Sequence, residues 1–126
     1  MNVQGNENKS STGLEPNVAA LLAYLFGWVG GLVFFLIEKD SMYVRFHAMQ
    51  SIFLNVLLVA LFIVVQIFTV LLAFISSALA LIGTLAWLVI GLGGLGIWIL
   101  MMVKAFQGEA YKLPIIGDMA ENIVNK

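Results

Sequence analysis

Val44-Arg45-Phe46-His47-Ala48-Met49-Gln50-Ser51 holds the only arginine and the only histidine of the chain. It stands where a short charged turn, Glu38-Lys39-Asp40-Ser41, passes into a long apolar run. Between Arg45 and Lys104 there is no Asp, Glu, Lys or Arg. About 58 uncharged residues exceed one membrane span and suffice for two, since a helical span needs ~20. That run decides the fold class: an all-α, polytopic membrane protein.

Composition agrees. Of 126 residues, 62% are hydrophobic and 10% charged, where soluble domains carry about 25% charged. A chain this short cannot hide so much apolar surface in one aqueous core. The net charge of −1 offers no basic excess for nucleic acid. With no cysteine and one histidine, disulfides, thiolate metal sites and a closed zinc site are excluded. No metal, no cofactor and no catalytic residue is expected. The carboxylates fall outside the predicted spans and no pair is fixed by spacing, so the chain is read as a non-enzyme.

Upstream, residues 1–16 are rich in Asn, Ser, Gly and Glu and read as a disordered polar tail. The sequon match Asn8-Lys9-Ser10 reads as chance. Residues 17–126 read as one helical transmembrane domain. Val18 to Ile37 is uncharged and, at ~1.5 Å per residue, spans about 30 Å, one bilayer core. Asn17 is its expected N-cap. The segment is too long for a cleavable h-region and reads as a signal-anchor. Ala23, Gly27 and Gly31 recur every four residues and line one face, where small side chains let another helix approach closely.

Downstream, Ser76-Ser77 and Gly83 offer the best break, with the turn near Ser76 to Leu79. A second helix then covers Met42 to Ile75 and a third Ala80 to Phe106, three spans in all. The second, ~50 Å long, must tilt, kink or protrude. An alternative breaks it near Gln66 and makes four. Lys39 with Arg45, and Lys104 with Lys112, lie near span ends; basic residues prefer the cytoplasm. Three spans put both groups on one side, with the N-terminus outside and the C-terminus cytoplasmic. Tyr43, Phe46, Trp98, Phe106 and Tyr111 would form an interfacial aromatic belt. Gly108 and Pro114 end the third helix. Asp118 then caps a short interfacial amphipathic helix with Ile115, Ile116, Met119 and Ile123 on one face.

Gly91-Leu92-Gly93-Gly94-Leu95-Gly96 fits G-x-G-x-x-G, but no strand precedes it and no acidic residue follows at the required distance. These glycines read as helix packing. On the second helix, His47, Ser51, Asn55, Gln66 and Thr69 share one arc of about 100°. Lipid cannot satisfy such side chains, so the stripe should face other helices, as packing hydrogen bonds or as a polar path. Arg45 and His47 begin a helix whose dipole disfavours cations. Two explanations stand side by side: a salt bridge from Arg45 to Glu38 or Asp40, and an Arg45–His47 contact with a lipid phosphate or other anion.

The chain resembles a family of small uncharacterised prokaryotic membrane proteins. The matching parts are Asn17-Val18-Ala19-Ala20-Leu21-Leu22-Ala23-Tyr24-Leu25, Glu38-Lys39, the Val44–Ser51 stretch, Ala105-Phe106-Gln107-Gly108 and Leu113-Pro114-Ile115-Ile116-Gly117. Their arginine–phenylalanine–histidine–alanine core is the specific part. That family is distantly similar to the twenty-kilodalton membrane component of the chloroplast inner-envelope import translocon. The resemblance implies a helical domain in the prokaryotic plasma membrane and permits a role in protein translocation. The expected function is therefore a non-enzymatic, self-associating membrane protein of unassigned role. The alternatives are a channel, transporter or translocation component, and an accessory subunit of another membrane protein. The expected partners are the lipid bilayer and a second copy or another membrane protein, with no nucleic acid.

Overall fold

A computed structural model describes residues 10–125. They form five helices and no strand: α1 (Pro16–Leu25), α2 (Gly27–Ile37), α3 (Met42–Ile75), α4 (Ser77–Phe106) and α5 (Ile116–Val124). The all-α expectation stands, and α3 and α4 are long and apolar enough to cross a membrane. The break between them falls at Ser76, whose hydroxyl accepts the Ala78 N–H at 3.1 Å. By chain contacts the protein divides into two compact units, Met1–Asn55 with Trp98–Lys126, and Val56–Ile97.

In the first unit the expected single span over Val18–Ile37 is instead two short helices. Gly27 has φ +63, a left-handed conformation that glycine adopts without steric cost. A Cβ added at Gly30 would fall 2.7 Å from the Leu22 carbonyl oxygen. Residues eight apart in a continuous helix lie ~12 Å apart, so the chain doubles back at Phe26–Gly27. Both ends of the pair meet the same end of α3 and α4. Asn17 Nδ2 donates to Phe106 O in the last turn of α4, and Arg45 in the first turn of α3 donates to Phe35 O in the last turn of α2. Asn17 is thus not the N-cap of α1; Glu15 holds that position and Pro16 starts the helix.

The three small residues divide between close packing and the bend. Gly31 is the close-packing position: a Cβ there would lie 2.7 Å from Ala48 O on α3 of the same chain. Ala23 is buried, while Gly27 makes the bend. Ser41 caps α3, its hydroxyl accepting the Val44 N–H at 3.3 Å. Gly108, at φ +83, closes α4 in a Schellman motif, with Glu109 N–H to Lys104 O and Gly108 N–H to Ala105 O.

Three further expectations are corrected. The reading of 1–16 as a tail with nothing to bind meets Ser10 and Ser11 hydrogen-bonded to Glu38 (below); residues 1–9, with Asn8 and Lys9 of the sequon match, lie outside the described residues. Tyr43 and Phe46 are buried rather than part of a surface belt. α5 starts after Ile115, not at Asp118. Its packed face is Ile116, Ala120 and Val124, with Ala120 and Val124 against Phe46 and Met49, while Ile115 and Met119 are exposed. The apolar face of the expected interfacial helix is largely spent on the protein itself.

The second unit is a helical hairpin. Of residues 56–97 only Gly83 and Gly94 are buried. Gly83 lies against Thr69, Gly94 against Leu58, and Phe62 stacks on Trp87 at 4.6 Å between centroids. Gly91, Gly93 and Gly96 sit in an unbroken helix with open space where a Cβ would be; no phosphate-cradling loop forms. Nearly every side chain of this unit faces outward and is apolar, which water would penalise heavily and hydrocarbon would not.

These contacts separate the glycines by role. Gly31→Ala should destabilise the detergent-solubilised protein by about 1–3 kcal/mol, because its methyl meets backbone that cannot yield. Gly91→Ala should stabilise it by about 0.5–1 kcal/mol. Thermal unfolding of the two variants checks both signs.

Candidate functional site

The start of α3 gathers its polar side chains into one closed arrangement. His47 is fully buried. Its Nε2 lies 2.8 Å from Glu109 O, and a carbonyl only accepts, so Nε2 carries the proton. Nδ1 therefore accepts from the Tyr24 hydroxyl at 2.8 Å. That hydroxyl in turn accepts from Gln50 Nε2 at 2.9 Å. Gln50 Nε2 also donates to Tyr111 O at 2.9 Å, and Gln50 Oε1 accepts the Leu113 N–H at 2.8 Å. The edges of Tyr24, Tyr43 and Phe46 box the imidazole in. Among the described residues no buried side-chain nitrogen or oxygen lacks a partner.

The remaining polar groups serve the broken helix. A bend leaves carbonyls that the helix no longer satisfies. Ser51 Oγ donates toward Ala23 O and Gly27 O, at 2.9 and 3.2 Å. Trp98 Nε1 donates to Tyr24 O at 2.6 Å. At the end of α2, Arg45 Nη1 reaches Phe35 O and Glu38 O, both at 2.8 Å, and its guanidinium lies 4.2 Å from the Phe35 ring centroid. This explains a cation at the wrong pole of α3: Arg45 serves the C-terminus of α2, where a positive charge is favoured.

Glu38, also fully covered, is not the ion-pair partner of Arg45. Its Oε2 accepts the N–H groups of Ser11, Asp40 and Ser41 at 2.8, 3.1 and 3.0 Å and the Ser11 hydroxyl at 2.8 Å. Ser10 Oγ donates to Oε1. Burial by itself raises the carboxyl pKa; the bonds from Ser10, Ser11 and Ser41 outweigh it and hold it below its ordinary value.

Of the expected stripe, the structure bonds His47 and Ser51 to other segments, sets Asn55 beside Gly27 and Thr69 against Gly83, and leaves only Gln66 exposed. Asn55 Nδ2 and Thr69 Oγ1 donate to carbonyls of α3 itself, Ser51 O and Val65 O. Beyond Ser51 the stripe makes no side-chain hydrogen bond to another segment, although Thr69 still packs on Gly83 of α4. His47 has both ring nitrogens engaged by protein, which removes it from the expected anion contact. Sequence reasoning missed Tyr24, Gln50 and Trp98 as partners. Tyr24 carried a signal, a phenol inside an otherwise apolar run that had to find an acceptor. Among the described residues no cluster of His, Asp or Glu could hold a metal.

Comparison with known proteins follows the same boundaries. The family described as the magnetosome magnetite crystal formation protein family matches residues 13–120. A UPF0132 membrane protein of Methanocaldococcus jannaschii is 41% identical over 113 residues, covering 90% of this chain and 92% of the relative. A second from that organism is 39% identical, covering 86% and 70%. One from Archaeoglobus fulgidus is 37% identical over 108 residues, covering 86% and 94%. No solved structure matches. These relatives are named as membrane proteins, and the likeness to a chloroplast translocon component is not among the findings.

Gln50→Leu should cost about 3 kcal/mol or more, because it orphans Leu113 N–H and Tyr111 O, each at roughly 1–3 kcal/mol. Thermal unfolding in detergent checks it, and limited proteolysis near residues 109–115 should quicken. For Glu38 the lowered pKa sets the sign. Its contribution is present above the unfolded value of ~4.3 and is lost as pH falls through the lower folded value. Glu38→Ala should therefore lose about 2–4 kcal/mol at pH 7, with the gap to wild type closing below about pH 4. Melting curves from pH 7 to pH 3 test this.

Proposed function

The chain belongs to the magnetosome magnetite crystal formation protein family, and we propose that it acts as a non-enzymatic, self-associating scaffold of the cell membrane. One observation carries this: the polar side chains His47, Gln50 and Ser51, with Tyr24 and Arg45, are bound to the protein's own backbone and to one another. They hold a shape and are not poised for chemistry. A nucleophile or general base needs a face open to substrate, whereas His47 is fully buried with both ring nitrogens engaged.

In this arrangement α3 and α4 cross the bilayer. α1 and α2, each ~15 Å long, enter from one side and return to it as a re-entrant hairpin. Irregular backbone at membrane depth is tolerated only where protein satisfies it, which is what Ser51 and Trp98 do. Both described ends then lie on one side. Supporting this, Ser11 binds Glu38, Asn17 binds Phe106, and α5 packs on Phe46 and Met49. The basic residues Lys39, Arg45, Lys104 and Lys112 on that side support a cytoplasmic assignment for it. The N-terminus is thus proposed as cytoplasmic, in place of the external position expected from three spans.

Single cysteines in this cysteine-free chain test it. In right-side-out and inverted vesicles, Glu15→Cys and Asn125→Cys should label together from the cytoplasmic face, and Ser77→Cys from the other. Labelling of Glu15→Cys opposite Asn125→Cys would end the re-entrant topology. Liposomes carrying the protein should leak ions no faster than empty ones; flux abolished by Asn55→Leu would replace the scaffold with a polar path.

A further inference from the structure

The hairpin of the second unit carries an amide that hydrocarbon cannot satisfy. Asn55 and Thr69 turn their donors onto carbonyls of α3, but no such bond involves Gln66 among the described residues. Gln66 is exposed and lines a groove of about 390 Å³ with Val59, Phe62, Ile63 and Trp87. It stands about ten residues along α3 from the Ser76 break, ~15 Å at helical rise, half the ~30 Å hydrocarbon core. At that depth a long side chain cannot snorkel to either interface, and lipid offers neither donor nor acceptor.

We propose that a second copy of this chain covers the Gln66–Trp87 groove, the two Gln66 amides hydrogen-bonding to each other across a two-fold axis. The interface rests on the membrane placement proposed above. Two copies inserted in the same orientation hold Gln66 at the same depth, so facing grooves bring one amide opposite the other. A primary amide both donates and accepts, and a two-fold pair closes two reciprocal bonds. Around the amides the groove offers Val59, Ile63 and the stacked Phe62–Trp87 rings as the apolar contact surface.

Disulfide trapping of the full chain in phosphatidylcholine–phosphatidylglycerol vesicles, at two lipid dilutions, tests the interface. Ile63→Cys, about 60° round α3 from Gln66, should form an oxidised dimer at both dilutions. Val64→Cys, at nearly the same depth but about 160° away, should stay monomeric. Adding Gln66→Leu to Ile63→Cys should lower the dimer yield about fivefold, with an unchanged melting temperature showing that the hairpin still folds. Equal yields from the two positions, or a yield indifferent to Gln66→Leu, would overturn the interface. So would an Ile63→Cys that stays monomeric in vesicles yet joins a different protein in cell membranes. A missing dimer with the Glu15, Ser77 and Asn125 labelling pattern intact removes this interface and leaves the membrane placement standing.

Discussion

Gln50 ties together three lengths of chain that are distant in sequence. Its amide nitrogen donates to the Tyr24 hydroxyl on α1 and to Tyr111 O, and its oxygen takes the Leu113 N–H. Gly117 sits where any Cβ would crowd that oxygen, at 2.9 Å, so the start of α5 is shaped around the same group. His47 adds the Glu109 carbonyl from the neighbouring turn of α3. The segment between α4 and α5 has no helix of its own to satisfy its backbone. Without Gln50 the Tyr111 carbonyl and the Leu113 amide lose these bonds, at roughly 1–3 kcal/mol each, and without His47 the Glu109 carbonyl keeps only the Tyr43 hydroxyl at 3.3 Å.

The same constraint explains the bend at Gly27. A helix that doubles back leaves acceptors that water would satisfy in a soluble protein and that lipid cannot. Ser51, Trp98 and Arg45 meet the carbonyls of Ala23, Tyr24, Gly27, Phe35 and Glu38. The motif at the head of α3 is thus complementary to a defect in another helix. Residues 56–97 have no such defect and almost no such side chains. They pack through apolar surface and small residues at Gly83 and Gly94, and the Gln66 amide stands exposed among them.

Much of the fold was legible in order along the chain. The break beginning at Ser76 and the Gly108 closure rest on local rules of chain termination and on the absence of charge; the structure keeps both, with the next helix starting at Ser77 rather than at Ala80. The site was only half legible. Periodicity placed His47 and Ser51 on a face toward protein, yet it also enrolled the exposed Gln66, because a 100° arc does not fix how wide the covered face is. Arg45 was paired on charge with Glu38 or Asp40. Its carbonyl partners carry no formal charge and leave no trace in the sequence.

What the amino-acid order determined by itself is the solvent and the helices: an uncharged run from Arg45 to Lys104 admits little besides hydrocarbon and α-helix, because backbone groups in lipid must bond within their own segment. What only the tertiary structure decided is that Val18 to Ile37 folds back on itself. Twenty apolar residues suit one crossing or two half-crossings equally by hydropathy. The choice lies with long-range donors, Ser51 and Trp98, that reward a bent backbone by satisfying the carbonyls it exposes.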